Sequence, residues 1–241
     1  MLKNLPIEKV LFLDIETVPM SPDFGQLPDI FKSLWDKKSR HFRKEEQTAE
    51  EVYERAGIYA EFGKVICICF GTIFQRDGQW HTRIRHFAGD DEKEILFQFA
   101  ELLEKLETQG GWRLCAHNGK EFDFPYISRR MLVNGIKLPA LLDVTMMKPW
   151  ETSFLDTMEL WKFGDYKNYT SLELLAALFG IPSPKNDIDG SQVAKVYYED
   201  KDLERIVKYC KNDVLTIIQL FLKYRGEPLI ENERIDLGVS E

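Results

Sequence analysis

Apolar positions fall into short runs early in the chain and long amphipathic stretches later. The first run begins at Val10 and predicts a buried strand over about 9–15, since a short continuous apolar run suits a strand covered on both faces. A charged segment follows over roughly 20–60, with helical periodicity around 29–56. KVICICFGTIF (64–74) predicts a second strand, and the turn at Asp77-Gly78 joins it to a third, WHTRIRHF (80–87), as a hairpin. DDEKEILFQFAELLEKLE (90–107) reads as an amphipathic helix with acids in its first turn. WRLCAHN (112–118) predicts a fourth strand, and FPYISRRMLVNG (124–135) a helix ending at Gly135. LPALLDV and FLDTMELW lead to a helix over TSLELLAALFG (170–180), closed by Gly180 and Pro182. A short helix at 191–198 follows the loop IPSPKNDIDG, and the longest helix spans about 200–224.

Strands come first and helices dominate later, with no repeat, low-complexity tract or composition break. The expectation is an α/β domain over 1–226, a mixed sheet flanked by helices with the last helix laid across it. The polar tail EPLIENERIDLGVSE (227–241) is expected to be only partly ordered.

Composition narrows the setting without naming the chemistry. The 241 residues suffice for a full core, and 44% hydrophobic with 30% charged residues is ordinary for a globular protein. No apolar stretch approaches a membrane span, and the N-terminus lacks a secretory apolar region, so a cytoplasmic, membrane-free protein is expected. Cys67, Cys69, Cys115 and Cys210 lie among apolar residues without CxxC spacing and read as buried free thiols. A net charge of −8 argues against broad nonspecific binding to nucleic acid. Two basic clusters remain, Lys37, Lys38, Arg40, Arg43 and Lys44 in one and Arg129 with Arg130 in the other. Both are read as solvated helix faces.

The candidate chemistry lies in LFLDIETVP (11–19), CAHNGKEFDFP (115–125) and KYCKNDVLTII (208–218). Asp14 and Glu16, two apart on a strand, share one face. Two unneutralised carboxylates there would repel each other and cost roughly several kcal/mol each in desolvation. Divalent cations relieve both penalties, so a metal site is the simplest reason for such a strand. Tyr209 and Asp213, four apart, share a helical face and border the apolar stripe of Ile206, Cys210, Val214, Ile217 and Phe221. Alone they read as a surface tyrosine and a solvated aspartate; beside the acidic strand they read as part of one site. Asp123 precedes Pro125 and a helix and could be an N-cap. Asn118-Gly119 ends a strand at the edge where α/β proteins commonly bind ligands, and the neighbouring His117 reads as structural.

DIETVP, HNGKEFDFP and Tyr-x3-Asp in YCKND resemble, in order, the three exonuclease motifs of the DEDD superfamily. They are most similar to its tyrosine subtype, found in the proofreading domains of family-B DNA polymerases and in stand-alone bacterial exonucleases related to them. SLELLAALFGIPSPKNDIDGSQV (171–193) also resembles the segment those proteins carry between the second and third motifs, so the likeness spans roughly 8–224. The histidine subtype would place His where Lys208 stands, and no histidine follows His117.

The resemblance implies a ribonuclease H-like (DnaQ-like) fold and a 3′–5′ exonuclease releasing 5′-mononucleotides from single-stranded 3′ ends, most simply DNA. It implies that Asp14, Glu16, Asp123 and Asp213 hold two Mg²⁺ or Mn²⁺ ions, with Asp14 shared between them and Tyr209 orienting the attacking water. Oxygen-only ligands favour these ions over zinc. Thr17, Asn118, Phe122, Phe124 and Lys185 are the candidate substrate contacts, the aromatic rings offering surfaces for base stacking. Tyr126, Phe24 and Trp35 are also available for such stacking, and most of these five rings read as core. Lys185, Asp187 and Asp189 form either a plain turn or a substrate-facing lip. An exoribonuclease with the same site is the first alternative, since one 2′-hydroxyl contact could decide the substrate. A non-catalytic nucleic-acid-binding domain is the second. No polymerase region accompanies these motifs, so repair, end trimming or proofreading in trans is expected rather than proofreading in cis.

Overall fold

The computed structural model describes residues 2–148, 150–165, 169–182 and 187–238. Its elements run β1 (Val10–Pro19), α1 (Asp29–Ser39), β2 (Gly63–Arg76), β3 (Gln79–Ala88), α2 (Glu92–Gln109), β4 (Arg113–Ala116) and α3 (Asp123–Val133). They continue through β5 (Leu155–Asp156), α4 (Thr157–Lys162), α5 (Leu172–Phe179), α6 (Val193–Lys195), α7 (Leu203–Arg225) and β6 (Ile235–Asp236). The strands form one mixed sheet in the order β5-β4-β1-β2-β3-β6, the α/β architecture expected of a ribonuclease H-like fold.

β1 lies centrally because both faces of it are apolar. Leu11, Leu13 and Ile15 pack in one cluster with Leu96, Phe99 and Leu103 of α2 and Ile127 of α3. Val10 and Phe12 pack on the other side against Val214, Ile217 and Phe221 of α7. By the two-residue period of a strand, Asp14 and Glu16 continue the α7-facing series. β1 pairs antiparallel with β2, setting Asp14 opposite Cys69 and Glu16 opposite Cys67, with a bulge between Glu16 and Thr17. Its parallel pairing with β4 ends at Phe12 opposite Cys115, so the acidic end of β1 projects past β4.

The helical reading of 29–56 holds only for α1. Beyond Ser39, the sequence RHFRKEEQT (40–48) offers no continuing apolar stripe. The chain instead wraps Trp35, fully buried among Val52, Tyr53, Ala56 and Phe62, whose indole N–H donates to Ala49 O at 2.8 Å. It then enters a 3₁₀ helix, Tyr53–Ile58. Neither basic cluster is simply a solvated face. Arg40 and Arg43 both pair with Asp36, and Arg130 is buried against Glu92 at 2.6 Å. Only Arg129 of the second pair stays exposed.

Asp202 caps α7 by accepting from Arg205 N, and Gly226 (φ 73°) ends it in the left-handed conformation that glycine favours. The tail returns to the body. The Gln219 amide bonds both the N–H and the C=O of Ile230, and β6 adds to the sheet edge beside β3, where Asp236 pairs with Arg83 and Arg85. Among the described residues, no helix is long and apolar enough to cross a membrane.

Candidate active site

Four carboxylates converge where β1 emerges beyond β4. Glu16 is 7% exposed and Asp123 3%, while Asp14 and Asp213 are half-buried. Asp123 opens α3 but is not its N-cap, a position Phe122 occupies without a capping side chain. Its Oδ1 accepts instead from Ile15 N at 3.2 Å. That backbone N–H lies past the last residue of β1 paired to β4, so the carboxylate completes the ladder where the neighbouring strand has ended. On α7, Tyr209 and Asp213 lie one turn apart and are joined by a side-chain hydrogen bond, the phenol donating to the carboxylate.

No Lys, Arg or His among the described residues forms an ion pair with any of the four acids. Burial therefore acts without compensation. It raises Asp14 well above the usual carboxylate range, with Cys210, Asp123 and Asp213 adding to the effect. Glu16 is raised likewise by burial and then by Asp14, Cys210, Asp213 and Asp123. Burial lifts Asp123 to about 7 and Asp213 to about 6, the latter despite the hydrogen bond from Tyr209. Tyr209 is itself pushed upward by burial and by Asp213, Glu16 and Asp14. Such a cluster is electrostatically incomplete: each charge disfavours the others, and a cation among them would remove the penalty. The donors are carboxylate oxygens, which suit hard divalent ions.

Beside the acids lies a cavity of about 610 Å³, lined by Ile15, Glu16, Thr17 and Pro19 of β1, Glu54, Arg55, Gly57 and Ile58 of the 3₁₀ helix, Phe122, and Gly190, Ser191 and Ala194. Gly57 fixes one wall to β1. A Cβ there would sit 3.1 Å from the Val18 backbone, and its carbonyl accepts from Thr17 Oγ1 at 2.9 Å and Tyr126 Oη at 2.8 Å.

The expected substrate contacts are therefore divided. Thr17 and Phe122 line the cavity. Phe124 is 1% exposed, its ring 4.3 Å from that of Phe154 in the core; the helix turn that opens Phe122 to the cavity carries Phe124 inward. Asn118, at φ 60°, gives its backbone N–H to Asp156 and leaves its buried side-chain oxygen without a partner. Lys185 lies outside the described residues. His117 is structural, bonded to Thr157 Oγ1 and Thr170 O at 2.9 Å each. Sequence reasoning missed Glu54, Arg55 and Ile58, which only the long-range wrap of the charged segment brings to the cavity, and Ser191, which the loop before α6 supplies.

Comparison with known proteins relates the chain to a family. The profile of predicted 3′–5′ exonucleases related to the exonuclease domain of PolB matches residues 58–229, beginning after β1. A DNA polymerase of Pyrococcus glycovorans is 26% identical over 141 residues, covering 54% of this chain and 18% of the polymerase. The family B DNA polymerase of Pyrobaculum calidifontis superposes with a TM-score of 0.55 at 15% identity, over 89% of this chain and 24% of that one. This likeness shows the fold, and the chain spans less than a quarter of either polymerase's length. The chain belongs to the family of predicted 3′–5′ exonucleases related to the exonuclease domain of PolB.

Proposed function

We propose that the protein is a divalent-metal-dependent 3′–5′ exonuclease of the tyrosine subtype, removing 5′-mononucleotides from single-stranded 3′ ends of DNA. The observation that carries this reading is the set of four convergent carboxylates, two buried and two half-buried, without a cationic partner among the described residues. Asp14, Glu16, Asp123 and Asp213 would hold two Mg²⁺ or Mn²⁺ ions, with Asp14 shared. When bound, such ions lower the pKa of water and stabilise charge on a departing oxygen.

The chain's own residues supply position. Ile15 N–H holds the Asp123 carboxylate against β1, fixing the spacing between the α3 and β1 acids. Tyr209, raised by burial and by the acids around it, stays protonated at neutral pH. It therefore orients the attacking water through its hydroxyl oxygen rather than acting as a base that takes its proton. Asp213 holds the phenol in place from one turn further along α7. In the cavity, Phe122 and Ile58 would offer apolar surface to the terminal base, while Arg55 is the cationic side chain in its lining.

The test is hydrolysis by purified protein with Mg²⁺ or Mn²⁺ of DNA and RNA single strands labelled at the 3′ or the 5′ end. Stepwise shortening of 5′-labelled DNA with immediate release of 3′-label as mononucleotide is expected. Internal cleavage, or attack from the 5′ end, would overturn the reading, and faster loss of RNA would reassign the substrate.

A further inference from the structure

On the α7-facing side of β2, Cys67 and Cys69 stand opposite Glu16 and Asp14 in the β1 pairing. They are two apart on the strand and therefore point the same way, toward α7. There Cys210 meets them. The three sulfur atoms lie within 4.8 Å of one another, all fully buried, with Cys67 and Cys69 Sγ 3.6 Å apart. They belong to the apolar cluster that includes Phe12, Ile73, Val207, Val214, Ile217 and Phe221. Three thiols from two elements thus converge on one point, apolar on one side and bordered by Asp14 and Glu16 at Cys210. Their backbone contacts are weak, Cys69 Sγ to Val207 O at 3.7 Å and Cys210 Sγ to Asp14 O at 3.4 Å.

We infer that Cys67, Cys69 and Cys210 form a second metal site, for a thiophilic ion of the Zn²⁺ class, separate in donor chemistry from the carboxylate cluster. Zinc–sulfur bonds of about 2.3 Å in tetrahedral geometry place sulfurs roughly 3.8 Å apart, close to the 3.6 Å between Cys67 and Cys69 Sγ and within the 4.8 Å that bounds all three pairs. Sulfur donors select Zn²⁺ over Mg²⁺, whereas the acids have the opposite preference. The acids lie next to this site. A carboxylate oxygen each from Asp14 and Glu16 and the sulfur of Cys210 lie within 4.8 Å of one another, and Asp14 is half-exposed. An ion that reaches the acids is therefore within reach of Cys210, and through it of the other two thiols. Each Zn–S bond formed displaces the thiol proton to solvent, and nothing is oxidised. Occupation releases Cys210 from the Asp14 carbonyl and ties α7 to β2 at the level of the acids.

The test uses the whole reduced protein with Mg²⁺ in excess to occupy the carboxylates, titrated with Co²⁺ as a spectroscopic substitute for Zn²⁺. One equivalent should produce sulfur-to-metal charge-transfer absorption, abolished by Zn²⁺ competition. X-ray absorption on the bound Zn²⁺ should show three sulfurs at about 2.3 Å. Cys69→Ala and Cys67→Ala, with native circular dichroism, should lose the band. Cys115→Ala, whose thiol lies outside the triad, should keep it. Asp14→Asn should also keep it, which separates this site from the exonuclease reading. An all-oxygen shell around Zn²⁺, no absorption at several equivalents, or a band unchanged in a folded Cys69→Ala protein would each overturn the assignment. The absorption measurement on unaltered protein decides the matter even if the cysteine variants misfold.

Discussion

Glu92 of α2 and the acids gathered around the end of β1 are treated in opposite ways. Glu92, 9% exposed, is met from every side. Arg130 donates to it twice, at 2.9 and 2.6 Å, Asn134 Nδ2 at 3.0 Å and Val65 N at 2.8 Å, while the guanidinium also reaches Ala60 O at 2.9 Å. It ties α2, α3 and β2 together and is complete. Of the acids around the end of β1, Glu16 and Asp123 are as deeply placed, yet the neighbours of the group are other acids, a phenol and a thiol. A buried charge that is paired and hydrogen-bonded is a structural part. A cluster whose members raise one another's pKa is stable only with something added. Burial alone does not separate a structural acid from a functional one; the presence of a partner does.

Replacing one member of each group should break the two in different ways. Asp14→Asn removes the shared acid and should cost several kcal/mol of transition-state stabilisation, about 10³-fold or more in rate. In EDTA the same variant should melt no lower than the parent, because a repulsive charge has gone. Arg130→Met should do the reverse. It strands Glu92 in the interior and should cost about 3–5 kcal/mol of stability, with the folded fraction still hydrolysing DNA. Adding Glu92→Gln should restore most of that loss. Thermal melts read beside single-turnover rates check both; a wild-type rate in Asp14→Asn would remove the basis for the metal reading.

Much of the acidic group was legible in the sequence because its signals are local. A strand's two-residue period places Asp14 and Glu16 together, and a helix's four-residue repeat does the same for Tyr209 and Asp213. The Asp77-Gly78 turn, with both residues at positive φ, announces its hairpin in the same way. The Glu92–Arg130 pair was hidden because its partners lie 38 residues apart, and a charged helix position looks identical whether it faces water or a buried counter-ion. The wrap of the charged segment around Trp35 was hidden too, since aromatic contacts among Trp35, Phe42, Tyr53, Tyr59 and Phe62 carry no period. Phe122 and Phe124 show the limit at its finest. They are two residues apart with the same side chain, and the helix start alone decides which one lines the cavity.

A smaller effect distinguishes the groups by pH. Asp123 at about 7 and Asp213 at about 6 lie above their ordinary value of 3.8. Between about 4 and 7 the folded, metal-free protein therefore holds protons that the unfolded chain has released. The sign follows: stability falls as pH rises through that window. The melting-temperature gap between Asp123→Asn and the parent in EDTA should widen in the variant's favour from pH 5 to 7.5. Mn²⁺ should close it by binding the ionised form, worth about 2.7 kcal/mol at a hundred times Kd. A gap that stays constant with pH, or an equal Mn²⁺ shift in Asp14→Asn, would place the ions elsewhere.

The finest cut falls within the acidic group itself, between residues that hold charge and one that only directs a hydrogen bond. Tyr209→Phe keeps the ring at the rim of α7 and removes the hydroxyl that donates to Asp213. Positioning and acid–base groups contribute about 10²–10⁴ in rate, and a hydroxyl that merely orients water should fall at or below the low end. The variant should be slow but active, with its Mn²⁺-dependent melting shift nearly intact. Losing the donated hydrogen bond should also raise the Asp213 pKa further, moving the acid limb of the rate profile to higher pH. Asp213→Ala should be slower than Tyr209→Phe because it removes a carboxylate donor, and it should lose part of the Mn²⁺ shift as well. If Tyr209→Phe were as inactive as Asp213→Ala while binding Mn²⁺ normally, the phenol would have to take part in proton transfer. Full activity would leave the tyrosine as a structural companion of Asp213, and the functional group would shrink to the four acids alone.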